Sequence, residues 1–201
     1  MIRELPDDSQ LYLNRGNVRD DLGDKQGAID DYSQAIKINS NYALAYNNRG
    51  NVRYDLGDKQ GAIDDYSQAI KINSSYAIAY NNRGVVRYDL GDKQGAIDDY
   101  SQAIKINSNY AIAYNNRGNA RYDLGDKQGA IDDYSQAIKI NPNYALAYCN
   151  RGVVRDALGD KHGAIDDYSQ AIKINRFLPP VPNTPVVREP GNSSPPGDST
   201  R

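Results

Sequence analysis

Small and apolar residues recur along most of the chain at intervals of three and four, stop at a glycine, and begin again. In the stretch 43–76, Ala43, Tyr46, Gly50, Val52 and Leu56 carry this spacing and predict a first helix, helix A. Gly57-Asp58 breaks the pattern, and Asp58 is placed to accept hydrogen bonds from the first N–H groups of a second helix, helix B. Helix B shows Ala62, Ile63, Tyr66, Ala69, Ile70 and Ile72 on one face and stops near Asn73-Ser74.

The block returns nearly verbatim every 34 residues. Gly16, Gly50, Gly84, Gly118 and Gly152 mark the register of five units, 9–42, 43–76, 77–110, 111–144 and 145–178, after a lead-in over 1–8 and before a tail over 179–201. A helix pair of this length buries its apolar face only against neighbouring pairs, and five units exceed the roughly three that such an array needs. The expectation is an all-α solenoid of five helix-turn-helix units. Gly50 at position 8 of its unit and Ala62 at position 20 are expected to let the two helices approach closely, and Ala69 at position 27 to leave room for the next unit's helix A. All 17 tyrosines fall at positions 4, 12, 24 or 34. Positions 4 and 24 read as core, each buried ring contributing about 2–3 kcal/mol. The position-12 set, Tyr54, Tyr88 and Tyr122, is absent from the first and last units, where Asp20 and Asp156 stand.

Charge and composition narrow the function. A net charge of −2 and a pI near 5.4 supply no basic field for a phosphate backbone, so no nucleic-acid partner is expected. No stretch approaches the ~20 apolar residues of a membrane span and the first residues lack an apolar signal segment, so no membrane partner is expected and the cytoplasm is the expected compartment. The single cysteine, Cys149, forms no internal disulfide and builds no metal site alone. The one histidine, His162, replaces a glutamine found in the other units. No nucleophile with a positioned base is legible, 15 of the 17 glycines sit at positions 8, 15 and 19 rather than in a phosphate cradle, and no cofactor or enzymatic activity is expected.

The residues at positions 4, 8, 20, 24 and 27, here Tyr46, Gly50, Ala62, Tyr66 and Ala69, with Pro142 at position 32, make 9–178 resemble tetratricopeptide repeat (TPR) proteins, most closely bacterial and cyanobacterial ones. The resemblance implies a right-handed superhelix and a protein-interaction scaffold holding an extended peptide or partner segment in its concave groove. In that family positions 2, 5, 6, 9, 12 and 13 of helix A face the groove. Carried over, the groove would hold Asn47, Asn81 and Asn115 at position 5, and Asn14, Asn48, Asn82, Asn116 and Asn150 at position 6. Asn17, Asn51 and Asn119 would stand at position 9, with Tyr54, Tyr88 and Tyr122 at position 12 and Asp55, Asp89 and Asp123 at position 13. Rows of amides can pair with a peptide backbone without reading its side chains; the alternative is that these asparagines are solvated or serve packing. The family's clamp for a terminal carboxylate needs Lys or Arg at positions 2, 5 and 6, which are Leu, Ile, Gln, Asn and Cys in these repeats.

Two positions depart from the family pattern. Position 7 is Arg15, Arg49, Arg83, Arg117 and Arg151, and position 11 is Arg19, Arg53, Arg87, Arg121 and Arg155. A buried guanidinium needs a partner, and helix B carries an aspartate pair at positions 22 and 23. A ladder from Arg49 and Arg53 to Asp64 and Asp65 is expected to tie helix A to helix B; the alternative is four solvated charges. After Ile174 the chain turns proline-rich, which predicts a disordered tail and leaves the last unit without the extra helix that usually caps such arrays. Either Phe177, Leu178 and Val181 cover that face or a second copy does, making a homo-oligomer through the uncapped C-terminal end. A self-associating assembly element that binds nothing in its groove is the alternative function. An RNA-binding pentatricopeptide array is disfavoured by the 34-residue spacing and acidic pI.

Overall fold

The computed structural model describes residues 8–176, which form ten α-helices and no strand. They fall into two compact units, one ending at Ser74 and the other beginning at Ser75. The first contains α1 (Asp8–Asp21), α2 (Lys25–Ile38), α3 (Ala43–Asp55) and α4 (Lys59–Ile72). The second contains α5 (Ala77–Asp89), α6 (Lys93–Ile106), α7 (Ala111–Asp123), α8 (Lys127–Ile140), α9 (Ala145–Ala157) and α10 (Lys161–Asn175). Within each unit every odd-numbered helix forms a hairpin with the helix that follows, and α2 also packs on α3, α6 on α7 and α8 on α9. The expectations for the tail, including Phe177, Leu178 and Val181, lie outside the described residues.

Each hairpin turn is written in two residues. Gly57 has φ +86°, left-handed backbone that a side chain would strain. Asp58 then accepts a hydrogen bond from Gly61 N–H at 2.9 Å and satisfies one of the open donors at the start of α4. The same pair opens α2, α6, α8 and α10. Leu56 does not join the apolar face that its spacing suggests: α3 ends at Asp55 and the leucine is exposed in the turn.

Glycine at position 8 fixes how closely the helices of a hairpin meet. A Cβ built on Gly84 would stand 2.7 Å from Cε1 of Tyr100, and the other position-8 glycines meet their own tyrosines in the same way. The rings of Tyr32, Tyr66, Tyr100 and Tyr134 thereby pack into the core, where Ala28, Ala62, Ala96 and Ala130 are also fully buried. The position-4 tyrosines are only half-buried. Each carries the position-7 guanidinium over its ring at 5.2–5.7 Å to the centroid.

The arginine ladder exists, but on one aspartate rather than two. Asp65 is almost fully buried and accepts Arg49 Nε at 3.0 Å, Arg49 Nη2 at 2.7 Å and Arg53 Nη1 at 2.9 Å. Asp64 stays on the surface and accepts from Gln60 one turn earlier. Neighbouring helical positions point about 100° apart, so only one of the two carboxylates can face helix A. The arrangement repeats around Asp31, Asp99, Asp133 and Asp167. The hydrogen bond from Arg15, helped by the charges of Arg15 and Arg19, holds the Asp31 carboxyl below its ordinary pKa despite its burial. Its contribution to stability is therefore present above about pH 4 and fades as pH falls through the lowered folded-state value.

Two substitutions test this core. Gly84→Ala forces Cβ into the Tyr100 ring and is expected to cost about 1–3 kcal/mol in chemical denaturation. Arg83→Ala is expected to cost about 1–3 kcal/mol by leaving Asp99 with Arg87 alone. A double-mutant cycle with Asp99→Ala should show coupling above about 0.5 kcal/mol, and independence of the two would refute the ion-paired core.

Candidate functional site

The helix A residues assigned to one face by the sequence divide sharply in the structure. Asn47, Asn48, Asn51, Asn81, Asn82, Asn115, Asn116 and Asn119 are buried, Asn17 and Asn150 half-buried, and Asn14 exposed. In the first unit Asn47 Nδ2 donates to Asn48 Oδ1 at 3.3 Å, and Asn48 Nδ2 to Asn17 Oδ1 at 3.0 Å. Asn17 Oδ1 also accepts Tyr32 Oη at 2.9 Å. In the second unit Asn116 Nδ2 donates to Asn81 Oδ1 at 3.1 Å, and Asn150 Nδ2 to both Asn115 Oδ1 at 3.0 Å and Asn119 Oδ1 at 3.1 Å. Tyr134 Oη completes the group on Asn119 at 2.8 Å.

These amides link one repeat to the next. Burial leaves most of these asparagines little surface, and the outer positions of the same helices are more open. There Tyr54, Tyr88 and Tyr122 are half-buried, and Asp55, Asp89 and Asp123 are exposed. The aspartates are not bare. Asp55 Oδ2 lies 3.1 Å from Lys25 Nζ, which also holds Asp20 at 2.5 Å, and Asp123 Oδ2 lies 3.1 Å from Lys93 Nζ. Tyr88 Oη donates to Asp123 Oδ2 at 2.7 Å. Burial first, and then this bond and the charge of Asp123, push the Tyr88 phenol above its ordinary pKa, so it remains a donor at neutral pH.

Residues of α5, α7, α8 and α9 line a shallow cavity of about 170 Å³, among them Tyr88, Tyr122, Asp123, Asn119, Asn150 and Val153. Flat rings beside a carboxylate and an amide suit an extended chain carrying apolar and cationic groups. Cys149 on α9 and His162 on α10 are both exposed, and the described residues include no group of three or more His, Cys, Asp or Glu that could hold a metal ion. No described helix is long and apolar enough to cross a membrane.

Sequence reasoning missed the tyrosine-asparagine-asparagine linkage between repeats and the lysine at position 17 that reaches the aspartate of the next repeat. Fixed separations carried both signals: Tyr32 stands 15 residues after Asn17, Asn48 stands 31 after it, and Asp55 stands 30 after Lys25.

Models of the TPR repeat match residues 16–57, 50–91, 86–125 and 118–159, and a tetratricopeptide repeat model matches 145–177. The chain belongs to the tetratricopeptide repeat family. Among solved structures it is similar to MamA at 27% identity and a TM-score of 0.74, over 81% of this chain and 95% of that one. It is also similar to the first TPR of Spaghetti (RPAP3) bound to the HSP90 peptide SRMEEVD, at 27% identity and a TM-score of 0.57, over 58% of this chain and 93% of that one. YrrB, a TPR protein with an unusual peptide-binding site, shares the fold at 22% identity and a TM-score of 0.67, over 82% of this chain and 85% of that one. No curated protein matches the chain. Within the TPR fold the asparagine linkage has a measurable consequence: Asn116→Ala leaves the buried Asn81 Oδ1 without this donor and is expected to lower unfolding free energy by about 1–3 kcal/mol, checked by urea denaturation with helicity followed by circular dichroism.

Proposed function

We propose that this TPR chain is a non-enzymatic scaffold that holds an extended, neutral-to-basic peptide segment of a partner protein against the outer positions of its first helices. The observation that carries the reading is the cavity over Tyr88, Tyr122 and Asp123, where aromatic surface, a phenol and a carboxylate converge on packed helices. The amides assigned to the ligand by sequence fall into two roles. The buried ones hold the repeats in register, and the partly open Asn150, in the cavity lining, can take up a backbone group of the peptide. In the first unit Tyr54, Asp55 and Asn17 repeat this chemistry, and Asn14 lies exposed on α1. In the second unit Asp89 adds exposed negative charge.

The Spaghetti repeat binds a peptide ending in two glutamates and an aspartate around a valine. The present chain carries no Lys or Arg at positions 2, 5 or 6 to meet such a terminus, and its outer face carries aspartates. Charge therefore selects the opposite class of segment.

Arrays of short unstructured peptides of acidic, neutral and basic composition, read by fluorescence anisotropy, test the reading. Binders should be neutral or basic, Tyr122→Ala should weaken them about tenfold, and Asp123→Asn should weaken the basic ones selectively. Melting curves of both variants separate lost binding from lost fold. Binders that are mainly acidic, or whose affinity ignores both substitutions, would overturn the proposal.

A further inference from the structure

The outermost helices expose side chains that interior repeats bury. On α1, Val18 is 57% exposed, whereas Val52, Ala120 and Val154 at the same repeat position are buried. The Arg15 side chain is 57% exposed and that of Arg49 15%. On α10, Ile172 is 56% exposed, whereas Ile36, Ile104 and Ile138 are half-buried. Leu158 is no more exposed than Leu56 and Leu124 at the same repeat position. The face of α1 also holds a hollow of about 350 Å³ lined by Asp8, Leu11, Tyr12 and Arg15.

Interior joints show what fits such faces. Across α2 and α3, Arg49 Nη1 donates to Ser33 Oγ at 2.9 Å; Arg117 does the same to Ser101 at 3.1 Å and Arg151 to Ser135 at 2.9 Å. Lys25 pairs with Asp55, and Lys93 with Asp123, each at 3.1 Å. The two ends carry the separated halves of both contacts. Arg15 and Asp21 lie on α1; Ser169 and Lys161 lie exposed on α10, with the Ser169 hydroxyl donated to Ile165 O and its oxygen able to accept.

We propose that the α9–α10 face of one copy stacks on α1 of a second copy in the register of the interior joints. Lys161 then pairs with Asp21 of the second molecule, Arg15 of that molecule donates to Ser169, and Ile165, Ile172 and Val18 leave water. The joint is looser than an interior one. Cys149 and Val153 stand where interior repeats offer asparagine acceptors to position 6, and Leu11 stands where interior joints set alanine on alanine, as Ala113 on Ala103. Because the two faces differ, the contact is head-to-tail and does not close on itself, so stacks lengthen with concentration. The joint shares Val153 with the lining of the cavity of the proposed function, but its contacts through Asp21, Arg15, Lys161 and Ser169 lie outside that lining, so the charge swap tests the stack and Tyr122 and Asp123 test the cavity, and either can fail alone.

Sedimentation velocity of the full chain over a hundredfold concentration range tests the stack. The weight-average sedimentation coefficient should rise past that of a dimer. Lys161→Asp or Asp21→Lys alone should weaken association at least tenfold, and the two combined in one chain should restore it, with melting temperature showing that each variant is folded. A monomer at every concentration overturns the proposal. So does association indifferent to the charge swap. A truncation after Arg176 that associates while the full chain does not would assign the face to residues 177–201 instead of a second copy, and would equally refute the stack.

Discussion

A carboxylate with almost no access to water, held by two guanidiniums from the neighbouring helix, is the interaction around which each repeat closes. Asp65 would be costly to bury alone. Arg49 meets both of its oxygens in a fork, Arg53 adds a third bond, and the remaining nitrogen of Arg49 reaches Ser33 of the preceding hairpin. One charged cluster thus ties helix A to helix B and one repeat to the next, where typical members of the family use apolar packing residues. The guanidinium also lies over the position-4 ring, a cation–π contact that adds to the hold on the fork. The geometry demands closely approaching helices, and the position-8 glycine, with a tyrosine ring laid on its bare backbone, supplies them.

The same close approach decides what the helices can offer to a partner. Once the hairpins sit this near one another, the inner asparagines are enclosed and bond to each other and to the position-24 tyrosines. An amide with a donor and an acceptor can serve a peptide or a neighbouring repeat, and here the neighbouring repeat claims most of them. The tyrosines at position 12 stay half-buried and the aspartates at position 13 exposed, and on these the proposed peptide site rests. Tyr88 and Asp123 are already joined there by a hydrogen bond of 2.7 Å, an ordering that would lower the entropy lost on binding the proposed peptide.

The repeats also explain the ends. Within each compact unit a joint between hairpins is made from two different faces, and α1 and α10, the first and last helices, expose side chains that such joints bury. Substitutions are concentrated there: Leu11 for alanine, Cys149 for asparagine, Ala157 for aspartate. The charged pair partners Asp21 and Lys161 and the Arg15 and Ser169 pair remain.

How much was legible in advance follows from range. The 34-residue period, the helix pairs, the Gly-Asp turns and the all-α class are local, because helical spacing and capping act within a few residues, and the sequence alone determined them. The need for a partner for each arginine was also legible, since a guanidinium in a packing position is costly unpaired. Which aspartate would answer was not: Asp64 and Asp65 are adjacent in sequence, and only the rotation of helix B against helix A turns one inward. The asparagines were harder still. Their side chains suit solvent, peptide or packing equally well, and repetition in five units raises all three readings together. What only the tertiary structure decided is which groups these amides bond within the fold: it brings Asn17, Tyr32 and Asn48 from three helices to one point, a distance relation that no single helix period encodes.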